Sequence, residues 1–175
     1  MMKILGIDLA GKTCNPTGIC ILQDDDIRLK TVYSDKEILI LAEKLRPDIV
    51  AIDTPIVHGN PRLRMADKIL RRYGALPPSF GGMKHLTLRG TRLAEQLKTK
   101  YWVIEVFPTA TAKLLGIYDK DFRKMADILG IRVNNKHELD AYLCSLTARL
   151  FLQHQAYEVG DEEGKIVVPY KKNGL

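Results

Sequence analysis

Between Lys3 and Tyr33 the sequence holds three β-patterned runs with no room for a helix among them. Lys3 to Leu9 (KILGIDL) is short and apolar, and Gly18 to Leu22 is a second such run. Ile27 to Tyr33 alternates, with Ile27, Leu29, Thr31 and Tyr33 on one side and Arg28 and Lys30 on the other. A period of two marks a strand. Gln23-Asp24-Asp25-Asp26 is a polar turn, so the runs predict a three-stranded antiparallel meander. Ser34, with Glu37 three residues on, predicts a capped helix to about Leu45, stopped by Arg46-Pro47. Ile49 to Ile52 is apolar on both faces and predicts a central, parallel strand ending at Asp53.

The rest of the chain extends this α/β pattern. Residues 56–100 look like an insertion, with a basic helix from Leu63 to Tyr73, the Gly/Pro-rich loop GALPPSFGGMKH and a helix from Leu86 to Leu97. Trp102 to Val106 predicts a fifth strand, Pro108 the start of a helix, and Phe122 to Leu129 a short helix ended by Gly130. Asn134 or Asn135 caps a long helix to about Gln155, and EVGDEEGKIVVPY reads as a hairpin or a strand with a tail. The expectation is one domain over 1–175 with a mixed five-stranded sheet, its first three strands antiparallel. Trp102 and Phe107 are expected in the core.

Hydrophobic residues make up 46% and charged residues 27% of the 175, as in soluble globular chains. No apolar run reaches the roughly 18 residues of a membrane span, and MMKILGIDLAG lacks the layout of a signal peptide. No membrane partner and a cytoplasmic location are expected. The three cysteines form no C-x-x-C pair and read as free thiols. The net charge of +6 is uneven: residues 62–100 contain ten Lys/Arg and two acids, a net of +8, leaving −2 for the remainder. A concentrated basic patch favours a polyanionic partner. Arg62, Arg64, Lys68, Arg71, Arg72, Lys84, Arg89 and Arg92 are the candidates to neutralise phosphates. On a helix Arg64, Lys68 and Arg71 share a face, as do Arg89 and Arg92.

Four carboxylates stand out. Asp8 lies on the first strand, Asp53 closes the fourth, Glu105 lies near the end of the fifth, and Asp140 lies on the long helix. Acids in apolar strands are costly unless a cation or donor pairs with them. Ligand sites in sheets with parallel strands form beyond the carboxyl ends, which suits Asp53 and Glu105, and Asp8 if the first strand is central. Leu139, Leu143, Leu146 and Leu150 form an apolar stripe; Asp140 sits roughly 100° from its centre, with His137 further round on the same flank. Glu138 falls on the opposite flank and is expected to face solvent. Carboxylates from separate elements can hold Mg²⁺ or Mn²⁺ for phosphodiester cleavage. His137 could assist proton transfer or bond to Asp140, and Lys12 could contact a scissile phosphate.

This layout resembles the ribonuclease H-like superfamily. GIDLAG…TGICIL is similar to the first hairpin of the Holliday-junction resolvases, and His137-Glu138-Leu139-Asp140-Ala141 resembles the H-x-x-D-A pattern of their last helix. A family of uncharacterised predicted nucleases of this fold is closer still, through GIDLAG, AIDTP, RMADKILRRYG, LTLRGTRLAEQL, VIEVFPTA, HELDAY and IVVP. The resemblance implies a three-layer fold with helices flanking the sheet. By analogy it also implies a metal-dependent nuclease acting on DNA or RNA, with Asp8, Asp53, Glu105 and Asp140 as metal-holding and catalytic residues beside Lys12 and His137. It allows a resolvase-like homodimer. The resolvases carry a glutamate on or soon after the fourth strand where this chain has Asp53, and they lack an obvious counterpart of the 56–100 insertion.

Two alternatives belong to other classes. GIDLAGKT satisfies G-x-x-x-x-G-K-[ST] and would make the chain a nucleotide-binding ATPase. That reading requires a helix after Thr13, where the sequence instead offers CNPTG and the strand-like TGICIL. A non-catalytic nucleic-acid-binding module would need the basic segment but not the acids.

Overall fold

The structure is a computed structural model describing residues 2–172. The first three runs form strands β1 (Lys3–Asp8), β2 (Thr17–Gln23) and β3 (Asp26–Val32), paired antiparallel. Helix α1 (Asp35–Leu45) starts at a complete capping box in which the Ser34 hydroxyl accepts from the Glu37 amide and the Glu37 carboxylate accepts from the Ser34 amide. Arg46 ends it in a left-handed conformation. Strand β4 (Ile49–Asp53) returns parallel to β1, and β5 (Trp102–Val106) lies parallel to β4. Between them run α2 (Met65–Leu70), a 3-10 turn over Arg71–Tyr73 and α3 (Met83–Lys98). Helices α4 (Pro108–Leu114), α5 (Phe122–Leu129) and α6 (Lys136–Leu152) follow, and Asn135 caps α6.

Among the described residues the sheet has seven strands, not the five expected. The C-terminal segment is a hairpin of β6 (Ala156–Asp161) and β7 (Gly164–Pro169), and β7 joins the sheet by running parallel to β5. The order is β3-β2-β1-β4-β5-β7-β6. This hairpin is covered by α2 and α4, whose Ala66, Leu70, Ala110 and Leu114 pack with Val159, Ile166 and Val168.

Strand alternation divides the core. Leu5, Ile7, Ile19, Val50, Ile52 and Val103 pack with α1 and α3, through Ile38, Ala42, Leu93, Ala94 and Leu97. Ile4, Cys20, Leu22, Ile49, Ala51, Ile104 and Val106 pack on the other face with Ala141, Tyr142, Cys144 and Ala148 of α6. The far side of α6 buries Leu139 and Leu143 against Ala112, Met125 and Ala126. Helix α6 is therefore enclosed on two sides, and every residue from 138 to 145 is buried.

Two glycines set how closely α6 approaches the sheet. A Cβ on Gly6 would stand 2.2 Å from the Ala141 carbonyl oxygen, and one on Gly18 would stand 1.9 Å from that of His137. Trp102, expected in the core, is 52% exposed at the start of β5 with its ring against Phe151. Phe107 is partly buried beside the α2–hairpin cluster. All three cysteines are free; Cys20 and Cys144 are buried and Cys14 is exposed. No helix among the described residues is long and apolar enough to cross a membrane.

Candidate active site

Asp8 and Asp53 are register partners at the carboxyl ends of adjacent parallel strands. Paired residues of neighbouring strands point to the same face. Asp8 shares the face of Ile4, and Asp53 that of Ile49 and Ala51, so both carboxylates turn toward α6. Gly18 pairs with Asp8 across β1–β2, and its missing side chain is what admits the first turn of α6. The close approach brings His137 onto Asp8, with the ring Nδ1 2.7 Å from the carboxylate. One turn on, Asp140 is buried and bonded by Lys136, its i−4 neighbour on the helix.

The cluster perturbs Asp53 and Asp140. Burial pushes the Asp53 carboxyl well above its ordinary value, and the charges of Asp8 and Asp140 push it further. Asp140 is raised by burial and then by Asp8, with Lys136 opposing. Burial disfavours the Lys136 ammonium, but Asp140 outweighs it and the net shift is upward. The hydrogen bond to Asp8 likewise raises His137 against partial burial. Like charges confined together shift proton affinities in this way.

Hard oxygen donors from two strand ends and a helix suit Mg²⁺ or Mn²⁺ chemically. In this structure, however, the Lys136 ammonium serves Asp140 as an internal cation, and the His137 ring is bonded to Asp8. Among the described residues no group of three or more His, Cys, Asp or Glu side chains is arranged to hold a metal ion. A divalent ion would have to displace the Lys136 ammonium from Asp140.

Glu105 does not join this cluster's face. Its register partner is Ile52, which faces α1 and α3, so Glu105 points through the opposite side of the sheet. There Arg64 grips it with two bonds of 2.7 Å, and the Ile56 amide donates a third at 2.8 Å. The same guanidinium binds Asp67 through Nε at 3.0 Å and Nη2 at 2.8 Å. Burial opposes the Arg64 charge, but the two carboxylates outweigh it and hold the group protonated. Glu105 thus belongs to a buried ion triad, which corrects its expected place among the metal-holding acids.

The basic segment also divides. Arg64 is 1% exposed and Arg89 4%, so neither offers a phosphate a free face. Arg64 precedes α2 as its cap instead of sharing a face with Lys68 and Arg71. Arg89 binds the carbonyls of Ala10 and Tyr33 and the carboxylate of Asp35, tying α3 to the β1–β2 loop and the start of α1. Arg62, Lys68, Arg71, Arg72, Lys84 and Arg92 are exposed, with Arg62 paired to Glu163. Glu138 is buried, contrary to expectation: its carboxylate accepts from the Asn134 backbone and side-chain amides. Lys12 is exposed on the turn between β1 and β2. Because that turn leads into β2 and not a helix, the segment GIDLAGKT lacks the helix N-terminus a phosphate loop requires.

Lys136 escaped the sequence reading, although its i,i+4 spacing to Asp140 was a usable signal. The helix-admitting roles of Gly6 and Gly18 were equally invisible before α6 was placed.

No protein-family model and no curated protein matches this chain. Among solved structures it is similar to T. thermophilus RuvC in complex with a Holliday junction substrate, with a TM-score of 0.51 and 14% identity, covering 88% of this chain and 96% of that one. The chain has a RuvC-like fold. The likeness is one of fold, an α/β mixed sheet flanked by helices.

Proposed function

We propose that the chain is a divalent-metal-dependent nuclease whose carboxylates Asp8, Asp53 and Asp140 hold Mg²⁺ or Mn²⁺ against a phosphodiester. The observation that carries this reading is the Asp8–Asp53 register pair at the ends of adjacent parallel strands, with Asp140 within electrostatic reach from α6. Apolar strands do not gather like charges without a compensating cation. The ion, when bound, would supply water activation and stabilisation of the leaving oxygen. Asp8, Asp53 and Asp140 bind; His137 orients Asp8 through its Nδ1 bond; Lys136 balances the acids until the ion arrives. Lys12, exposed on the β1–β2 turn, is a candidate phosphate contact. The RuvC similarity supports a nucleic-acid partner and makes a branched DNA the first substrate to assay.

A non-catalytic nucleic-acid-binding module is the second reading, favoured by one observation: two of the three carboxylates already have side-chain partners, the Lys136 ammonium and the His137 ring. Incubation with four-way junctions, nicked duplex and single-stranded DNA and RNA separates the two. Cleavage dependent on Mg²⁺ or Mn²⁺ is expected, and Asp8→Asn should reduce it at least about 100-fold. Binding of these nucleic acids without cleavage under either metal selects the module.

A further inference from the structure

The 56–100 segment carries a groove that the carboxylate site leaves unused. It encloses about 420 Å³ between α2 and the loop that follows the 3-10 turn, and Leu63, Lys68, Arg71, Leu76, Pro77 and Phe80 line it. That volume lies in the range of sites that accept a group the size of a small molecule. Phe80 is 63% exposed, and Leu63 and Leu76 are exposed beside it. Its acid, Asp67, is consumed by Arg64, so Lys68 and Arg71 give the lining a positive balance. A second cavity adjoins the groove. It encloses about 150 Å³, shares Asp67, Ala75 and Leu76 with the groove, and has Asp53, Thr54, Leu86 and Phe107 in its walls.

We propose that this groove is a subsite for an unpaired nucleotide of the nucleic acid whose phosphodiester reaches Asp53. The reading of the carboxylates as a nuclease site supplies the scissile end; the groove itself stands on its own lining. An exposed aromatic face beside cations suits a base stacked next to its phosphates. A base-paired nucleotide keeps its faces stacked within the duplex, so the occupant is a single strand, a loop or a splayed end. Charge complementarity selects it over a second copy of this chain. Residues 62–100 carry a net +8, and mating two such surfaces would juxtapose like charges.

Fluorescence anisotropy with a labelled oligothymidylate and a labelled blunt duplex, without divalent metal, tests the proposal. Phe80→Ala is expected to weaken single-strand binding by roughly 5- to 150-fold, as loss of one base–aromatic stack does, and to leave duplex binding much less affected. Phe80→Leu, which keeps the apolar volume but not the aromatic face, should behave like Phe80→Ala, and Phe80→Tyr like the wild type. Lys68→Ala or Arg71→Ala should each lower the single-strand salt slope by about 0.7. Because Phe80 is exposed, an unchanged melting temperature is expected of all three Phe80 variants.

Equal single-strand affinity of the wild type, Phe80→Ala and Phe80→Leu overturns the proposal. So does Phe80-dependent self-association, measured by sedimentation, in a protein that binds neither oligonucleotide. A wild type that never cleaves yet binds single strands through Phe80 removes the nuclease reading and leaves the subsite intact. Metal-dependent cleavage lost in Asp8→Asn but unchanged in Phe80→Ala, with unchanged single-strand affinity, removes the subsite alone.

Discussion

Of the three clustered aspartates, Asp53 is the one with no Lys, Arg or His bonded to it among the described residues; His137 takes Asp8 and Lys136 takes Asp140. Its carboxyl is raised by burial and then by its two neighbours. A carboxyl raised in the folded state binds more protons there than in the unfolded chain, so it removes stability as pH climbs from its ordinary value of 3.8 through the folded value. Asp53→Asn should therefore melt higher than the wild type at pH 7 in the absence of metal. The gap should be absent below about pH 3.8 and widen upward. Each kcal/mol of relieved repulsion is worth roughly 2–4 °C at this chain length. Adding Mn²⁺ should reverse the ranking, because the wild type gains ligand-linked stability that the variant lacks. Glu105 behaves oppositely. Glu105→Gln leaves Arg64 and Asp67 buried without their partner and should cost about 3–5 kcal/mol. The Mn²⁺-induced rise in melting temperature should persist in that variant, a result that separates the triad from the carboxylate cluster.

At the scale of elements, the site depends on how closely helix α6 sits on strands β1 and β2. Gly18→Ala puts a Cβ into the His137 carbonyl, a backbone group, with no flexible side chain to yield. The helix must shift, at about 1–3 kcal/mol for such overpacking. His137 and Asp140 move with it, so loss of cleavage should exceed what the fall in melting temperature explains. The boundaries of these elements were legible where chemistry is local: the Ser34–Glu37 box, Pro108 at the start of α4 and Gly130 at the end of α5 all stand as expected. The faces were harder. Strand β5 is apolar on both sides, so nothing in the letters around Glu105 says that its partner is Ile52 and its side the far one. Helix α6 is enclosed between the sheet and α4 and α5, so its leucine stripe does not mark a single buried face, and Glu138 disappears inside. Arg64 and Arg89 were misread because exposure is the default for arginine. The sheet membership of β6 and β7 depends on a parallel pairing with β5 some sixty residues earlier, which no local pattern encodes.

Across the whole molecule the basic excess remains on one segment, but burial of Arg64 and Arg89 leaves Lys68, Arg71, Arg72, Lys84, Arg92 and Lys98 as its exposed cations outside the Arg62–Glu163 and Lys100–Glu43 pairs. Nucleic-acid affinity should fall steeply with salt, by about 0.9 in the log–log slope for each duplex phosphate these residues neutralise. Arg92→Ala and Lys84→Ala should flatten that slope without changing metal binding, and a flat response in the wild type would move the interface elsewhere. The sheet delivers two acids, the long helix a third, and the insertion a groove beside the cavity that Asp53 helps to line. Whether that convergence holds a metal is read most directly from anomalous scattering of Mn²⁺-soaked crystals. The expected result is a peak between Asp8, Asp53 and Asp140 with the Lys136 ammonium displaced from Asp140. Saturating Mn²⁺ that leaves no peak there, with the His137–Asp8 and Lys136–Asp140 pairs intact, would contradict it.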